Sequence, residues 1–502
     1  MEHKHIQTRR PVTPLQWISW GLMVASPFLL MGLLCLFTGR NVWNSWPVWS
    51  NELDCYRVLQ NFGVAASGYN GMYEVIPPVG NQSVLGIAPL FFYGAFVRLF
   101  GLSRITIMLC NCLWLSTGAL VFCAIRRPKA SSALFFTLLT VCYVPLALYL
   151  STSMPEAANY GLLMLYATFL LHYDETHSLW SLLLSLIFGL LACLYRIQYV
   201  LLFLPLAWHF GGRRFGLKTW LALLVTVILA FICAVVAIFY TAPTIQSFHY
   251  HLLHADSLET AIQLLLSHTK ANVIDYFSLG KTDAVQAGFR LVYLASILVC
   301  LFGAFVHTEK EPGSRLRLRF GLNTPFLVVS VWLLGSLCII ILLYETADWW
   351  DFRMLAPVLW LTALCLFMTG RRIAPLAMLG GCLLLTAVLA LHSPIGCFAD
   401  PYRYTEPPRS EALTQAMEVI TFEDGDPAAG FDPFDNTVRT DLSDCWQLTE
   451  LQPGLGLETG WFIDGSTGRS RWLLTDMLKA PLEGYKPVFK TDGMSVYRRI
   501  ED

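Results

Sequence analysis

The chain has 502 residues, of which 55% are hydrophobic and 14% charged, and its formal net charge is −1. Soluble domains carry about 25% charged residues. This deficit, with a mean hydropathy of +0.54, excludes an ordinary soluble protein and indicates a polytopic helical membrane protein. Because the chain has no global basic field and no nucleic-acid-binding motif, we expect no nucleic-acid partner.

Long apolar runs recur along the chain and predict about eleven transmembrane helices. The first run, residues 17–38, contains no charged residue and follows Lys4, Arg9 and Arg10, which is typical of a retained signal anchor. The remaining runs are 105–125, 131–150, 157–172, 179–195, 198–210, 218–241, 289–306, 322–344, 354–369 and 374–392.

Basic residues in the connections predict the orientation. Four of the five connections after even-numbered spans are basic, and positively charged loops stay in the cytoplasm. The N-terminus is therefore predicted to be cytoplasmic, and residues 39–104, 242–288 and 393–502 extracytoplasmic, most simply in a bacterial plasma membrane. The apolar run 89–100 is too short to span and predicts an interfacial helix in the first outer loop.

Two domains are predicted. Residues 1–392 form the transmembrane domain, and residues 393–502, which are polar and rich in turn residues, form a small extracytoplasmic α+β domain. Within the second domain we expect a helix at 411–420 and a terminal hairpin of residues 485–490 and 494–498.

Ionisable residues collect at the predicted outer ends of the helices. Glu52 and Asp54 follow the first span, and further candidates are Arg104, Glu156, Arg196 with Gln198, and Arg353. Charges in a membrane protein normally pair or serve a ligand. Arginine binds phosphate through two N–H groups, and a carboxylate accepts the proton of an attacking hydroxyl. The pattern therefore indicates an anionic substrate and a hydroxyl acceptor, although each arginine alone is explained equally well by a local ion pair or by snorkelling to the interface.

Several motifs in order resemble the GT-C class of integral-membrane glycosyltransferases, in the superfamily of mannosyltransferases and aminoarabinose transferases. Glu52-Leu53-Asp54-x-Tyr56 resembles the acidic motif of the first outer loop. Ser153-Met154-Pro155-Glu156 resembles the second acidic motif. The others are Ile76-Pro77-Pro78 followed by Gly86-Ile87-Ala88-Pro89-Leu90 and Leu99-Phe100-Gly101, then Tyr195-Arg196-Ile197-Gln198 with Leu204-Pro205, and Phe352-Arg353-Met354-Leu355-Ala356-Pro357. The first motif departs from the class, since Glu-x-Asp replaces adjacent acids or Asp-x-Asp.

The resemblance implies a hexosyl- or pentosyltransferase that moves a sugar from a polyprenyl-phosphate donor to a lipid, glycan or protein hydroxyl at the outer face, with inversion. Asp54 would be the general base, with Glu52 as second candidate. Glu156 would position the acceptor or a metal, and Arg196, Arg353 and Gln198 would bind the donor phosphate. The resemblance leaves open a divalent ion, Mg²⁺ or Mn²⁺, held by Glu52, Asp54 and Glu156.

His249, His251 and His254 form a second candidate group in an outer loop, and with Arg104 they are candidates for contact with the donor. An amphipathic loop lying on the membrane explains the same pattern. Two other functions stay open from the sequence: a flippase or transporter of lipid-linked sugars, and a polysaccharide polymerase or ligase. A transporter would place its ionisable residues near the middle of the membrane.

Overall fold

The computed structural model describes residues 11–38, 41–44, 87–101, 103, 105–151, 156–211, 216–239, 248–253, 255–278, 284–310, 316–343, 351–392, 411–421, 437–440, 456–459, 471–475, 484–491 and 494–500. Among the described residues, helices dominate up to residue 392, and strands appear mainly near the C-terminus.

The N-terminal half is a series of apolar helices. In chain order they are α1 (Pro14–Thr38), α2 (Ile87–Phe100), α3 (Thr106–Arg126), α4 (Ala130–Val141), α5 (Val144–Leu150), α6 (Glu156–Thr176), α7 (Leu179–Tyr195), a 3₁₀ helix (Ile197–Leu202), α8 (Phe203–Phe210) and α9 (Leu217–Phe239). A short 3₁₀ turn (Val42–Asn44) follows α1.

The later helices continue this arrangement. They are α10 (Phe248–Leu253), α11 (Leu258–Phe277), α12 (Ala284–Phe305), α13 (Thr324–Leu343), a π-helical turn (Asp351–Leu355), α14 (Ala356–Met368), α15 (Ile373–His392) and α16 (Glu411–Val419). An antiparallel pair, β1 (Val306–Lys310) and β2 (Leu316–Phe320), joins α12 to α13.

Each of the predicted apolar runs overlaps a helix or a pair of helices. By length and hydropathy, 4 of the described helices are sufficient to cross a membrane, namely α1, α3, α12 and α13, and α4 with α5 makes a fifth if the bent pair is one span. Exposed leucine, isoleucine and phenylalanine side chains cover the outside of the bundle. Such a surface is suited to lipid, so the chain is a multi-pass membrane protein, as predicted.

Two predicted spans are less regular than expected. The run 131–150 is not one helix: α4 and α5 meet at an angle of 64°. Pro145 lies in the first turn of α5, where its missing N–H is tolerated but the preceding helix cannot continue. The run 198–210 begins as a 3₁₀ helix and becomes α-helical only at Phe203.

The core of the bundle is built around α6 and α14. Nearly every side chain of α14 is buried, and α6 is buried from Glu156 to Thr168. Trp360 lies at the centre, with its ring edge-on to Phe136 at 5.2 Å and to Tyr160 at 5.6 Å. The first turn of α6 and the segment before α14 therefore lie next to each other at one end of the bundle.

The C-terminal part contains a five-stranded mixed sheet. Its strands are β3 (Thr437–Thr440), β4 (Gly456–Thr459), β5 (Trp472–Thr475), β6 (Tyr485–Lys490) and β7 (Ser495–Arg499), in the order β4-β3-β5-β7-β6. β3 is parallel to β4 and β5, and β7 is antiparallel to β5 and β6. The predicted helix near 411 and the predicted terminal hairpin are both confirmed.

The sheet and α16 share a hydrophobic core that extends to the membrane helices. Leu413 and Met417 of α16 pack with Trp472 and Val496 of the sheet, and the same cluster includes Tyr93 of α2. α2 is the helix predicted from residues 89–100, and it packs against α3. Tyr93 donates a hydrogen bond to Asn111 Oδ1 of α3 at 2.6 Å.

Candidate functional site

The first turn of α6 carries a buried acid. Glu156 is the first residue of the helix, and its side chain is only 1% exposed. Pro155 precedes it in the sequence, and proline is common at helix starts because the first turn lacks N–H partners anyway. The N-terminus of a helix has positive polarity, which favours a carboxylate at this position.

Arg196 lies where α7 ends. Its backbone is extended, with φ −153° and ψ 120°, and the chain then enters the 3₁₀ helix. A proline later in the sequence explains why this stretch is not α-helical. Pro205 has no N–H to donate to the carbonyl of Leu201 four residues earlier. The indole N–H of Trp332 donates to that carbonyl instead, at 3.2 Å.

Arg353 lies in the π-helical turn before α14. Pro357 cannot donate to the carbonyl of Arg353, so the regular ladder of α-helical hydrogen bonds is interrupted here. π-turns are rare and are frequently found at functional sites. Both arginines are thus held at breaks in helices, where the backbone departs from the α-helix.

The two guanidinium groups converge on Glu156. Arg196 Nη2 donates to Glu156 Oε1 at 2.6 Å. Arg353 donates to the same oxygen through Nε at 2.8 Å and through Nη2 at 2.5 Å. The structure therefore brings together three of the predicted site residues, which are 40 and 197 positions apart in the sequence.

The arginines and the acid of this cluster differ in exposure. Each guanidinium stabilises the carboxylate form of Glu156. Arg196 and Arg353 side chains are 19% and 29% exposed, whereas the acid is almost fully covered. The accessible parts of the cluster are therefore the two guanidinium side chains.

Gln198 connects the two broken segments. Its Nε2 donates to the backbone carbonyl of Met354 at 2.7 Å, and the residue is completely buried. This bond ties the 3₁₀ helix after Arg196 to the π-turn that carries Arg353. It fixes the relative positions of the two guanidinium groups.

The other predicted site residues fall largely outside the described part of the chain. Glu52, Asp54, Arg104 and His254 all lie there, so their predicted roles stay predictions. His249 and His251 are in α10, which packs against α11, and the side chain of His251 is exposed.

Within the described residues, no group of three or more His, Cys, Asp or Glu side chains is arranged to hold a metal ion. The predicted metal set combined Glu156 with Glu52 and Asp54, of which only Glu156 is described.

Sequence reasoning missed two buried polar residues in the spans. Arg290 of α12 is fully buried; its Nη1 donates to the carbonyls of Asp275 and Tyr276 at 3.1 and 2.8 Å, and its guanidinium lies 4.8 Å from the Tyr276 ring. It thus caps the C-terminus of α11. Asn159, one turn after Glu156, is 1% exposed. The signal in both cases was a polar residue in or beside an apolar run.

Comparison with known proteins supports the fold. No protein family model and no curated protein matches the chain. A crystal structure of ArnT from Cupriavidus metallidurans bound to undecaprenyl phosphate is similar over 97% of this chain and 99% of that chain, with a TM-score of 0.51 and 11% identity. The apo-state structure of the same protein covers 93% of this chain and 98% of its own, with a TM-score of 0.35 and 12% identity. The chain therefore has the fold of the GT-C glycosyltransferases, in agreement with the resemblance of its motifs.

Proposed function

We propose that this protein is a membrane glycosyltransferase that moves a sugar from a polyprenyl-phosphate donor to an acceptor hydroxyl at the outer face of the membrane. The observation that carries the proposal is the convergence of Arg196 and Arg353 on Glu156 in a GT-C fold. ArnT, which has a similar fold, was crystallised with undecaprenyl phosphate, and this is the reason for choosing a polyprenyl phosphate.

The arginines bind the phosphate that connects the lipid to the sugar. Both side chains are partly exposed, and arginine forms paired hydrogen bonds with phosphate oxygens. As the sugar leaves, the phosphate gains negative charge. Fixed cations at that position lower the barrier because they need no reorganisation when the charge develops.

Glu156 holds the two guanidinium groups in place. Without a carboxylate between them, two like charges would repel and move apart. Two guanidinium groups in contact with this carboxylate disfavour a divalent cation beside it, so the geometry supports phosphate rather than Mg²⁺ or Mn²⁺ next to Glu156. A metal ion held by Glu52 and Asp54 remains a separate prediction.

Asp54 is the proposed base, with Glu52 as the alternative. The carboxylate takes the proton of the acceptor hydroxyl, the acceptor oxygen bonds to the anomeric carbon, and the bond to the phosphate oxygen breaks with its electron pair on the phosphate. A single displacement of this kind inverts the configuration of the anomeric carbon.

The test uses the purified full-length protein in nanodiscs with a panel of undecaprenyl-phosphate sugars. We expect one donor to bind and, when membrane extract supplies acceptors, to release undecaprenyl phosphate. Arg353→Lys should weaken donor binding about tenfold or more, since lysine lacks the fork that contacts Glu156 and phosphate together. Asp54→Asn should bind the donor normally and abolish transfer, while Glu52→Gln should retain activity.

Four results would contradict parts of the proposal. Transfer at the wild-type rate by Asp54→Asn would remove that residue as base, and loss of transfer only in Glu52→Gln would assign the role to Glu52. Donor binding by wild type without any release of lipid phosphate would instead favour a flippase. Unchanged donor affinity in Arg353→Lys would contradict the phosphate site.

A further inference from the structure

Four buried polar atoms next to the arginine cluster have no hydrogen-bond partner within the described part of the chain. They are Glu156 Oε2, Asn159 Nδ2, Asn159 Oδ1 and Gln198 Oε1. Leaving a buried polar group unsatisfied is unfavourable, and most such groups in proteins are bonded. A cluster of four at one place indicates that something else binds there.

The orientation of Gln198 is determined by its one bond. A backbone carbonyl only accepts, so the side-chain atom that faces Met354 must be the amide nitrogen. The amide oxygen is therefore the atom left without a partner. In the same way, both arginines donate to Glu156 Oε1, which leaves Oε2 as the unused oxygen of the carboxylate.

Asn159 lies on the side of α6 that faces Gln198. Tyr166 is seven residues later, which places it on nearly the same side of the helix as Asn159. The hydroxyl of Tyr166 donates to the carbonyl of Leu202 at 2.7 Å, so this side of α6 faces the 3₁₀ helix that contains Gln198. Glu156 is three residues before Asn159, on the same side. Glu156, Asn159 and Gln198 thus lie where α6 faces the 3₁₀ helix.

We propose that Glu156 Oε2, Asn159 and Gln198 Oε1 form a subsite for the hydroxyl groups of the donor sugar. The inference rests on the proposed function, which places the phosphate on the exposed side of Arg196 and Arg353. The sugar is bonded directly to that phosphate, so its hydroxyl groups reach the next polar atoms inward.

The chemistry of the atoms fits a polyol. Glu156 Oε2 and Gln198 Oε1 accept hydrogen bonds, and the Asn159 amide both donates and accepts. Sugar hydroxyls on neighbouring carbons donate and accept in the same way. A second phosphate would not fit, because a carboxylate and two amide oxygens would repel it. Asn159 is therefore a specificity-determining residue for the sugar and does not take part in proton transfer.

The experiment compares Asn159→Leu with Asn272→Leu. Both asparagines are buried, but Asn272 Nδ2 is within 2.9 Å of the Ile341 carbonyl and 3.0 Å of His268 Nε2 in a part of the protein remote from the cluster in sequence. Each variant is measured in nanodiscs for its melting midpoint without ligand. Affinities are then determined for undecaprenyl phosphate and for the undecaprenyl-phosphate sugar that wild type binds best.

Opposite results are expected for the two variants. Asn159→Leu removes an unsatisfied amide, so its midpoint should be unchanged or higher, its affinity for undecaprenyl phosphate unchanged, and its affinity for the sugar donor about tenfold lower. Asn272→Leu should have a lower midpoint, because the Ile341 carbonyl loses its donor, and the same preference for the sugar donor as wild type.

A lower midpoint for Asn159→Leu with wild-type donor affinity would overturn the inference and assign Asn159 to structure, for example through a buried water. The inference would also be overturned if the wild-type protein bound undecaprenyl phosphate as tightly as every undecaprenyl-phosphate sugar. That result would leave the proposed phosphate site intact. Wild type that binds neither lipid would contradict the proposed function itself, together with the subsite.

Discussion

Glu156 illustrates how a single side chain organises a site that the sequence distributes over three segments. It is the only carboxylate that the structure joins to both Arg196 and Arg353 in the described residues, and it lies at the start of a buried helix. Its position one residue after a proline places it at the helix start. Its interaction with Arg353, 197 residues away, depends on the packing of α6 against α14.

Replacement of Glu156 by glutamine should destabilise the protein. The substitution removes the carboxylate that both guanidinium groups contact. Breaking a buried pair costs roughly 3–5 kcal/mol, and the partial exposure of both arginines reduces this to about 2 kcal/mol. We expect the melting midpoint in detergent to fall by several degrees.

Glu175→Gln is the matched control for this change. Glu175 also pairs with an arginine, Arg126, at 2.6 Å, but its side chain is 63% exposed. Exposed pairs contribute about 0–1 kcal/mol, so the midpoint should hardly change. Equal midpoints for Glu156→Gln and wild type would show that the buried cluster is not a stabilising interaction.

Helix crossings decide where the residues of the site lie. α6 packs against α3 at Gly161, where a Cβ atom would come within 2.3 Å of Trp114 Cδ1 and 2.6 Å of its Nε1. This close approach needs a residue without a side chain. It sets the distance between α3 and α6 only five positions after Glu156, and therefore the position of the acid.

Gly161→Ala should force Trp114 or α6 to move. Overpacking of this kind costs about 1–3 kcal/mol, so the melting midpoint should fall, and the affinity for undecaprenyl phosphate should fall with it as Glu156 shifts. Gly21→Ala in α1 is the control. A Cβ at Gly21 meets nothing within 4 Å, and the midpoint should be equal or slightly higher since alanine is the better helix former. A midpoint for Gly161→Ala at or above that of Gly21→Ala would contradict the tight crossing.

The charges of the whole molecule predict its orientation. Basic connections between spans indicate the cytoplasmic side, and the opposite side then holds the arginine cluster and the C-terminal sheet. The sheet and α16 belong to the same hydrophobic cluster as Tyr93 of α2, so the C-terminal part covers the surface formed by α2 and α3. The two predicted domains therefore share a hydrophobic contact.

Cysteine labelling in intact cells tests this orientation. Glu259→Cys, in exposed α11, should react with a membrane-impermeant maleimide, and Glu175→Cys should react only after lysis. Native cysteines give a constant background, and most of those described are buried. If Glu175→Cys reacted in intact cells and Glu259→Cys did not, the predicted topology would be wrong and the opposite orientation would hold.

The sequence by itself determined the class of the protein, the helices and the residues of the charged cluster. Hydropathy depends on composition over about 20 neighbouring residues, so runs such as 105–125 and 322–344 predicted α3 and α13 well. The terminal hairpin followed from turn residues between two short strand patterns. The arginines were recognised because charges near apolar runs require an explanation.

Only the tertiary structure decided how those residues are arranged. The sequence left open whether Arg353 pairs locally or binds a phosphate, and it predicted that Glu156 positions the acceptor substrate or a metal ion. The ion pairs of Glu156 with both arginines depend on where α6, the 3₁₀ helix and the π-turn meet. The unsatisfied amide atoms of Asn159 and Gln198 could likewise be recognised only in the tertiary structure. Whether a polar atom has a partner depends on contacts between distant segments, which no local sequence pattern encodes.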